Sequence, residues 1–121
     1  MIPILFTATT NAQEASRFYS DVMGFVLTDD NPFSLEFDAA GTMLRVQKLE
    51  SFAPHPFTAL GWRVDDIAAS IDDLAARGAV FERFEFMEQD ERGIWTTPDG
   101  VRVCWFKDPD SNTLSLTQWP G

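Results

Sequence analysis

Few side chains of this chain could do chemistry, and their spacing matches no catalytic pattern. The 121 residues include one histidine, His55, and one cysteine, Cys104. A serine nucleophile needs a base within hydrogen-bond reach, and no motif places a histidine beside Ser115. A metal site could recruit His55 with Glu36, Glu85 or Cys104, but His55 lies between two prolines, where we expect a solvated linker. The sequence therefore predicts neither a nucleophile nor a clustered metal site.

Arg45 is the polar side chain with the most specific chemical interpretation. Its segment, residues 42–48, alternates as a half-buried strand does. Arg45 could clamp a carboxylate, phosphate or enolate-like oxygen of a ligand, because a guanidinium presents charged hydrogen-bond donors. It could instead form a cross-strand ion pair, for instance with Glu36, that stabilises a sheet. Both interpretations stay open at this point. Gly93 and Gly100 lack the spacing of a phosphate-binding loop.

The composition disfavours several classes of partner. The formal net charge is -10, with 23% charged and 45% hydrophobic residues. An acidic chain is poorly suited to bind nucleic acid or an anionic membrane surface. A single cysteine allows no intrachain disulfide, no apolar run is long enough to span a membrane, and the first eight residues do not look like a signal peptide. We therefore expect a cytoplasmic protein without nucleic-acid or membrane partners.

Hydrophobic periodicity predicts the same order of elements twice along the chain. A helix over residues 12–22 begins at the cap Asn11 and ends at Gly24, and a second helix begins at Asp65 or Asp66 and runs to about residue 77. The predicted strands are residues 2–8, 25–29, 33–37, 42–48, 57–64, 79–86, 94–97, 101–106 and 113–118. The chain therefore reads β-α-β-β-β twice and is predicted to be α+β.

The two halves form one predicted domain over residues 1–121. The first module covers about residues 1–50, a linker covers about 51–56, and the second module covers about 57–121. The linker prediction rests on Pro54-His55-Pro56, which continues neither a helix nor a ladder of strands comfortably.

Three motifs resemble those of a known family. They are Trp-Phe-Lys-Asp-Pro-Asp-Ser-Asn-Thr-Leu-Ser-Leu at 105–116, Phe-Tyr-Ser-Asp-Val-Met-Gly-Phe at 18–25, and Val-Asp-Asp-Ile at 64–67. They are similar to the C-terminal hairpin, the end of the first helix and the start of the second helix of the glyoxalase / bleomycin-resistance / extradiol-dioxygenase (vicinal oxygen chelate) superfamily. The resemblance implies two βαβββ modules whose curved mixed sheet forms a central cleft for metal and substrate. It also implies a homodimer.

The same resemblance implies four metal-ligand positions, on the first and last strands of each module. Carried over to this sequence, they fall on Ile4, Arg45, Ala59 and Ser115. Divalent metals in proteins are bound by carboxylate, imidazole or thiolate groups, and none of these occupies the four positions. The permanent cation of Arg45 would also repel a divalent ion. We therefore expect no metal and no other cofactor.

Strand alternation, together with the family's ligand positions, predicts the side chains that line the cleft. These are Ile4, Phe6, Met43, Arg45, Gln47, Ala59, Gly61, Trp105, Ser115 and Thr117. An apolar cleft with a few polar groups is typical of small-molecule sites.

Three functions are compatible with such a cleft. The preferred one is a metal-free small-molecule-binding protein of the bleomycin-resistance type that sequesters an antibiotic or a toxic metabolite. The alternative is a glyoxalase-type lyase, isomerase or dioxygenase with unorthodox metal ligands, or with acid–base catalysis through Arg45, Gln47 and Glu36. The third is a regulatory or structural dimerisation domain that binds no ligand.

Overall fold

A computed structural model describes all residues from Met1 to Gly121, which divide into two compact units. Unit 1 comprises Met1–His55 and Asp108–Asn112, and unit 2 comprises Pro56–Lys107 and Thr113–Gly121. Each unit contains one four-stranded mixed sheet and one helical segment. The predicted α+β class with two modules is confirmed, and the strands form two sheets. The single domain over residues 1–121 stays a prediction.

The sheet of unit 1 has the strand order β1-β4-β3-β2, in which β1 runs parallel to β4 and the other pairs are antiparallel. Its strands are β1 Ile4–Thr9, β2 Val26–Asp30, β3 Ser34–Ala39 and β4 Thr42–Lys48. Alternate residues of β3 and β4 are buried, among them Phe37, Leu44 and Val46, and these form the core on one face of the sheet.

The first helix differs from the prediction in its last turn. As predicted, Asn11 caps it by accepting a 3.2 Å hydrogen bond from the Glu14 backbone N–H. The α-helix α1 covers Ala12–Arg17 only, and a π-helical turn follows over Phe18–Val22. In that turn the backbone N–H of Met23 donates to the carbonyl oxygen of Phe18. Hydrophobic periodicity predicts that Ala15, Phe18, Tyr19 and Val22 share the apolar face of this helix, and Phe18 and Tyr19 are indeed buried. Periodicity does not reveal the wider turn that carries them.

The sheet of unit 2 has the order β5-β8-β7-β6, again with one parallel pair, β5 with β8. Its strands are β5 Thr58–Arg63, β6 Trp95–Thr96, β7 Arg102–Lys107 and β8 Thr113–Gln118. Helix α2, Ile67–Ala76, begins at Asp66, whose carboxylate accepts a 3.1 Å hydrogen bond from the Ala69 N–H. It buries Ile67, Ile71 and Leu74. Neither helix of the chain has the length and apolarity needed to cross a membrane.

The predicted strand over residues 79–86 is wrong. Only an isolated bridge between Phe81 and Phe106 forms there. The Gln89 side chain forms hydrogen bonds with backbone groups that a neighbouring strand would otherwise pair with. Its Oε1 accepts from the Phe84 N–H at 2.8 Å, and its Nε2 donates to the Glu82 and Gly93 carbonyl oxygens at 3.1 and 2.8 Å. Without this strand, unit 2 has the order βαβββ.

Candidate functional site

Five of the predicted site residues share one face of the unit 1 sheet. The register of β1 and β4 places Ile4 opposite Met43 and Phe6 opposite Arg45. Gln47 follows Arg45 at the two-residue period of a strand, so it points the same way. We call this set the Arg45 face. Its side chains are half-buried or exposed, and the exposed fraction of Phe6 is 49%.

The contacts of Arg45 agree with both interpretations that the sequence left open, a clamp for a ligand and a cross-strand ion pair. Glu36 lies directly opposite it on β3, and their side chains form an ion pair with 3.8 Å between Nη2 and Oε1. That distance exceeds a hydrogen bond, so the pair holds Arg45 only loosely. Its guanidinium carbon lies 5.8 Å from the centroid of the Phe6 ring, and its buried Nε has no hydrogen-bond partner. Its Nη2 donates only a long 4.0 Å hydrogen bond to Met43 Sδ, so the part-exposed guanidinium has no short partner and lies beside an exposed aromatic ring.

A cavity of about 320 Å³ opens beside Arg45. It is lined by Asn31, Phe33, Ser34, Glu36, Arg45 and Gln47. Asn31 builds the wall: its Oδ1 accepts from the Phe33 and Ser34 backbone N–H groups at 2.9 and 3.0 Å. The sequence predicts a turn at Asp30-Asn31-Pro32 but does not predict that Asn31 belongs to the site. The Asn-Pro pair after β2 signals a turn, but only the fold places that turn beside Arg45.

The other predicted site residues lie in unit 2. Gly61 and Trp105 both pair with Ser115, and Thr117 follows on the same face; we call these four the Trp105 face. Ala59 lies in a register shift between Thr58 and Leu60 and has no cross-strand partner. This bulge allows the Thr58 hydroxyl to accept a 3.1 Å hydrogen bond from Trp105 Nε1. Thr58 was not predicted, because alternation alone does not reveal a bulge.

Gly61 and Ser115 are in close contact across the parallel pair. A Cβ atom at Gly61 would lie 2.7 Å from the Ser115 Oγ. We expect Gly61→Ala to force the buried Ser115 hydroxyl from its position and to lower the free energy of unfolding by about 1 kcal/mol. Adding Ser115→Ala should recover most of that loss in urea unfolding, and additive losses in the double variant would contradict this contact.

The residues at the four metal-ligand positions do not fit a divalent metal. Arg45 lies opposite Phe6, and Ile4 lies opposite an apolar Met43. The hydroxyl of Ser115 is the only oxygen among the four side chains, and this residue is buried. No group of three or more His, Cys, Asp or Glu side chains elsewhere in the chain is arranged to hold a metal ion.

Cys104 is packed in the core of unit 2. Its side chain is fully buried, and burial raises the pKa of the thiol to about 12. Because the thiolate is the reactive form, we expect a disulfide reagent at pH 8 to label Cys104 about a thousandfold more slowly in the folded chain than in urea. The time course of absorbance with the reagent measures both rates. Fast labelling without urea would show that unit 2 opens locally.

A buried polar cluster lies in unit 1 around the turn 108–112. The Tyr19 hydroxyl donates to Asp108 Oδ2 at 2.7 Å, and Asn112 Nδ2 donates to the same oxygen at 2.8 Å and to the Ala8 carbonyl at 3.0 Å. Burial raises the pKa of Tyr19 and of Asp108. Every one of these contacts is internal to the protein. Perturbed pKa values often mark active sites, but here they arise from a structural network.

Three comparisons place this geometry among known proteins. Residues 2–116 match the family model of the Glyoxalase/Bleomycin resistance protein/Dioxygenase superfamily. No curated protein sequence matches the chain. Among solved structures, TnmS3, an antibiotic binding protein from Streptomyces sp. CB03234, is 25% identical with a TM-score of 0.73 over 99% of this chain and 96% of that chain.

More distant structures share the fold. FosX, a genomically encoded fosfomycin resistance protein from Listeria monocytogenes, is 10% identical with a TM-score of 0.77, over 99% of this chain and 93% of that one. A glyoxalase/bleomycin resistance protein/dioxygenase from Alicyclobacillus acidocaldarius is 17% identical with a TM-score of 0.76, over 100% and 92% of the two chains.

Proposed function

Because this chain belongs to the glyoxalase/bleomycin resistance protein/dioxygenase superfamily, we propose that it binds a small molecule without a metal ion and sequesters an antibiotic or a toxic metabolite. One observation carries the proposal. At a position where the family places a metal ligand, this chain has Arg45, a part-exposed cation beside an exposed ring and a cavity of about 320 Å³.

The ligand-binding residues are those of the Arg45 face and the Trp105 face, together with Ala59. Within the Arg45 face, the guanidinium of Arg45 provides charge and hydrogen-bond donors, and the Phe6 ring provides apolar area. Small-molecule sites combine these two properties. The ligand group that suits Arg45 is a carboxylate or another planar oxyanion, because the guanidinium fork can donate two parallel hydrogen bonds to it.

The loose contact with Glu36 supports ligand binding at Arg45. A guanidinium held by two short hydrogen bonds to a carboxylate would have little to offer a second anion. Here one nitrogen lies 3.8 Å from the Glu36 carboxylate, and the side chain of Arg45 is 37% exposed. Part-exposed pairs of this kind stabilise a fold by less than about 1 kcal/mol, so a ligand can replace Glu36 at low cost.

Two further observations support the proposal, the first bearing on the absence of a metal and the second on ligand binding. The family's ligand positions hold Ile4, Arg45, Ala59 and Ser115, none of which is a carboxylate, an imidazole or a thiolate. TnmS3, which is 25% identical to this chain, is described as an antibiotic binding protein. Binding that removes a toxic compound needs affinity and no turnover.

Calorimetric titration with an aromatic carboxylate, acridine-9-carboxylate, tests the proposal. We expect Arg45→Gln to weaken binding about tenfold or more, because it removes a charged hydrogen-bond donor. Arg45→Lys should recover only part of the affinity, because it keeps the charge and loses the fork. The matched control is Arg17→Gln, which removes an exposed arginine that pairs with Glu14 on α1.

Three results would contradict the proposal. The first is an equal effect of Arg45→Gln and Arg17→Gln, which would leave Arg45 with only its ion pair. The second is a requirement for nickel, cobalt, zinc, manganese or iron(II), shown by loss of binding in EDTA. The third is chemical conversion of the bound compound, which would favour the glyoxalase-type enzyme and acid–base roles for Glu36 and Arg45, whose side chains line the same cavity.

We also propose that the protein acts in the cytoplasm as a homodimer. Val26 and Leu27, on the edge strand β2, expose apolar side chains beside unpaired backbone groups, and a second copy of the chain would cover them. Light scattering during gel filtration should give twice the chain mass of 13.6 kDa. A monomer at micromolar concentration would contradict this assembly.

A further inference from the structure

Four aromatic rings of unit 2 form a connected cluster at the Trp105 face. The register of β6 and β7 places Trp95 opposite Val103, two residues from Trp105 on the same face of the sheet. The Trp95 and Trp105 rings are 6.3 Å apart and tilted by 30°. Phe84 packs edge-on against Trp105 at 5.7 Å, and Phe86 contacts Phe84 at 5.5 Å. Phe86 is 83% exposed, so the cluster ends in an open ring.

Hydrogen bonds to neighbouring residues hold this cluster in place. Trp105 Nε1 donates to the Thr58 hydroxyl at 3.1 Å, which orients the indole. Gln89 bonds the backbone of Phe84, Glu82 and Gly93, which orders the segment that carries the two phenylalanines. Rings that are already oriented lose little conformational entropy when a ligand stacks on them.

A cavity of about 340 Å³ adjoins the cluster and carries negative charge. It is lined by Glu88, Gln89, Asp90, Ile94, Trp95 and Thr96. One oxygen of Asp90 accepts the backbone N–H groups of Arg92 and Ile94, each at 2.9 Å. The Glu88 side chain is exposed and lines the cavity, so its carboxylate can be reached by a ligand.

The nearby cations offset the negative charge of this cavity only in part, because Arg92, which pairs with Asp72, also interacts electrostatically with Asp90. The Arg92 guanidinium donates two hydrogen bonds of 3.0 Å to the carboxylate of Asp72, and this hydrogen bonding lowers the pKa of Asp72. Arg83 donates to the carbonyl oxygen of Glu91 at 3.4 Å. No lysine or arginine lines the cavity. With a net charge of -10, the chain as a whole also favours cations.

We propose that unit 2 binds a planar aromatic cation, with its ring stacked on Trp95, which lines the cavity, and its charge beside the Glu88 carboxylate. Rings give the site apolar area and attract cations through their faces, and the exposed carboxylate gives charge complementarity. The proposal names a ligand class for part of the proposed binding function, and it rests on that function in treating Trp105 as a ligand-binding residue.

Two probes with the same ring system and opposite charge test this site. Quenching of tryptophan fluorescence in the full chain should show that N-methylacridinium binds. We expect Glu88→Gln to weaken its binding about fivefold, as the loss of a part-exposed ion pair does. Trp95→Leu should weaken it by a similar factor of about five, as the loss of an aromatic contact does, and the other three tryptophans keep the fluorescence signal. Because Trp95 is only half-buried, this variant should fold.

Glu85→Gln is the matched control, because Glu85 is an exposed carboxylate of the same segment that does not line the cavity. Equal effects of Glu88→Gln and Glu85→Gln would overturn the site, since only general charge would then matter. Absence of quenching by N-methylacridinium while acridine-9-carboxylate binds at Arg45 would also overturn it and leave the proposed function intact. The reverse result would support the site and contradict the role of Arg45.

Discussion

Replacing Asp108 by alanine is expected to lower the free energy of unfolding by about 3 kcal/mol, the largest effect we expect of any polar substitution in the chain. The side chain is 95% buried, with an exposed fraction of 5%. Its two oxygens accept four hydrogen bonds: from the Tyr19 hydroxyl at 2.7 Å, from Asn112 Nδ2 at 2.8 Å, and from the Asp110 and Asn112 backbone N–H groups at 2.9 Å. Alanine would leave the Tyr19 hydroxyl and the Asn112 backbone N–H buried without an acceptor.

The pKa of Asp108 predicts how this loss depends on pH. Burial raises the pKa of the carboxyl above its ordinary value of 3.8, and hydrogen bonds from Asn112 and Tyr19 oppose the rise. A raised pKa in the folded state means that the folded chain takes up this proton more readily than the unfolded chain. The contribution to stability is therefore fully present below pH 3.8 and is lost as pH rises through the folded pKa.

The difference in stability between wild type and Asp108→Asn should therefore grow as the pH is lowered from 7 towards 4. Burying the charged carboxylate of Asp108 costs free energy. Removing it also costs free energy, because its hydrogen-bond donors are then left without an acceptor. Urea unfolding at several pH values measures the loss of stability in each variant and its dependence on pH. Asp65→Asn, which changes an exposed aspartate, should cost no more than about 0.5 kcal/mol. Equal losses in the two variants would contradict the role given to Asp108.

The turn 108–112 illustrates what the sequence could predict and what it could not. The Asp-Pro-Asp-Ser-Asn run predicts a turn, since proline presets φ and the Asx side chains bond back to the backbone. Asp108 does accept from the Asp110 and Asn112 N–H groups as such turns require. Its partner Tyr19 is 89 residues away in sequence, and hydrophobic periodicity assigned that ring only to the apolar stripe of a helix. Distant polar pairings of this kind carry no local signal.

The candidate site also combines features that the sequence predicts with features that it does not. Alternation correctly placed Met43, Arg45 and Gln47 on the face opposite Leu44 and Val46, because the period of a strand is two. Alternation could not predict the bulge that releases Ala59 from the ladder and allows Thr58 to bond Trp105. Hydrophobic periodicity also predicted a strand over residues 79–86, where the Gln89 side chain instead bonds the backbone of Glu82 and Phe84. Side-chain bonds to backbone replace ladder pairs without changing the hydrophobic pattern.

Phe106→Ala is expected to lower the free energy of unfolding by about 4 kcal/mol, through loss of buried area and the cavity that remains. Phe106 is fully buried on β7, opposite Leu114, and its ring lies 5.2 Å from that of Phe81. Urea unfolding followed by tryptophan fluorescence measures the loss. The matched control is Phe86→Ala, which removes a ring that is 83% exposed and should cost less than about 1 kcal/mol.

The contrast between Phe106 and its neighbour Trp105 tests the fold and the site together. Consecutive strand residues point to opposite faces, so Phe106 supports the core while Trp105 belongs to the open face. Phe106 also forms the bridge with Phe81, and the Glu82 N–H donates to the Trp105 carbonyl oxygen at 2.7 Å, so the segment that carries Phe84 and Phe86 is attached at this point. Phe106→Ala should therefore weaken N-methylacridinium binding as well as stability. A variant that loses stability and keeps full affinity would show that the aromatic cluster is ordered independently of the core.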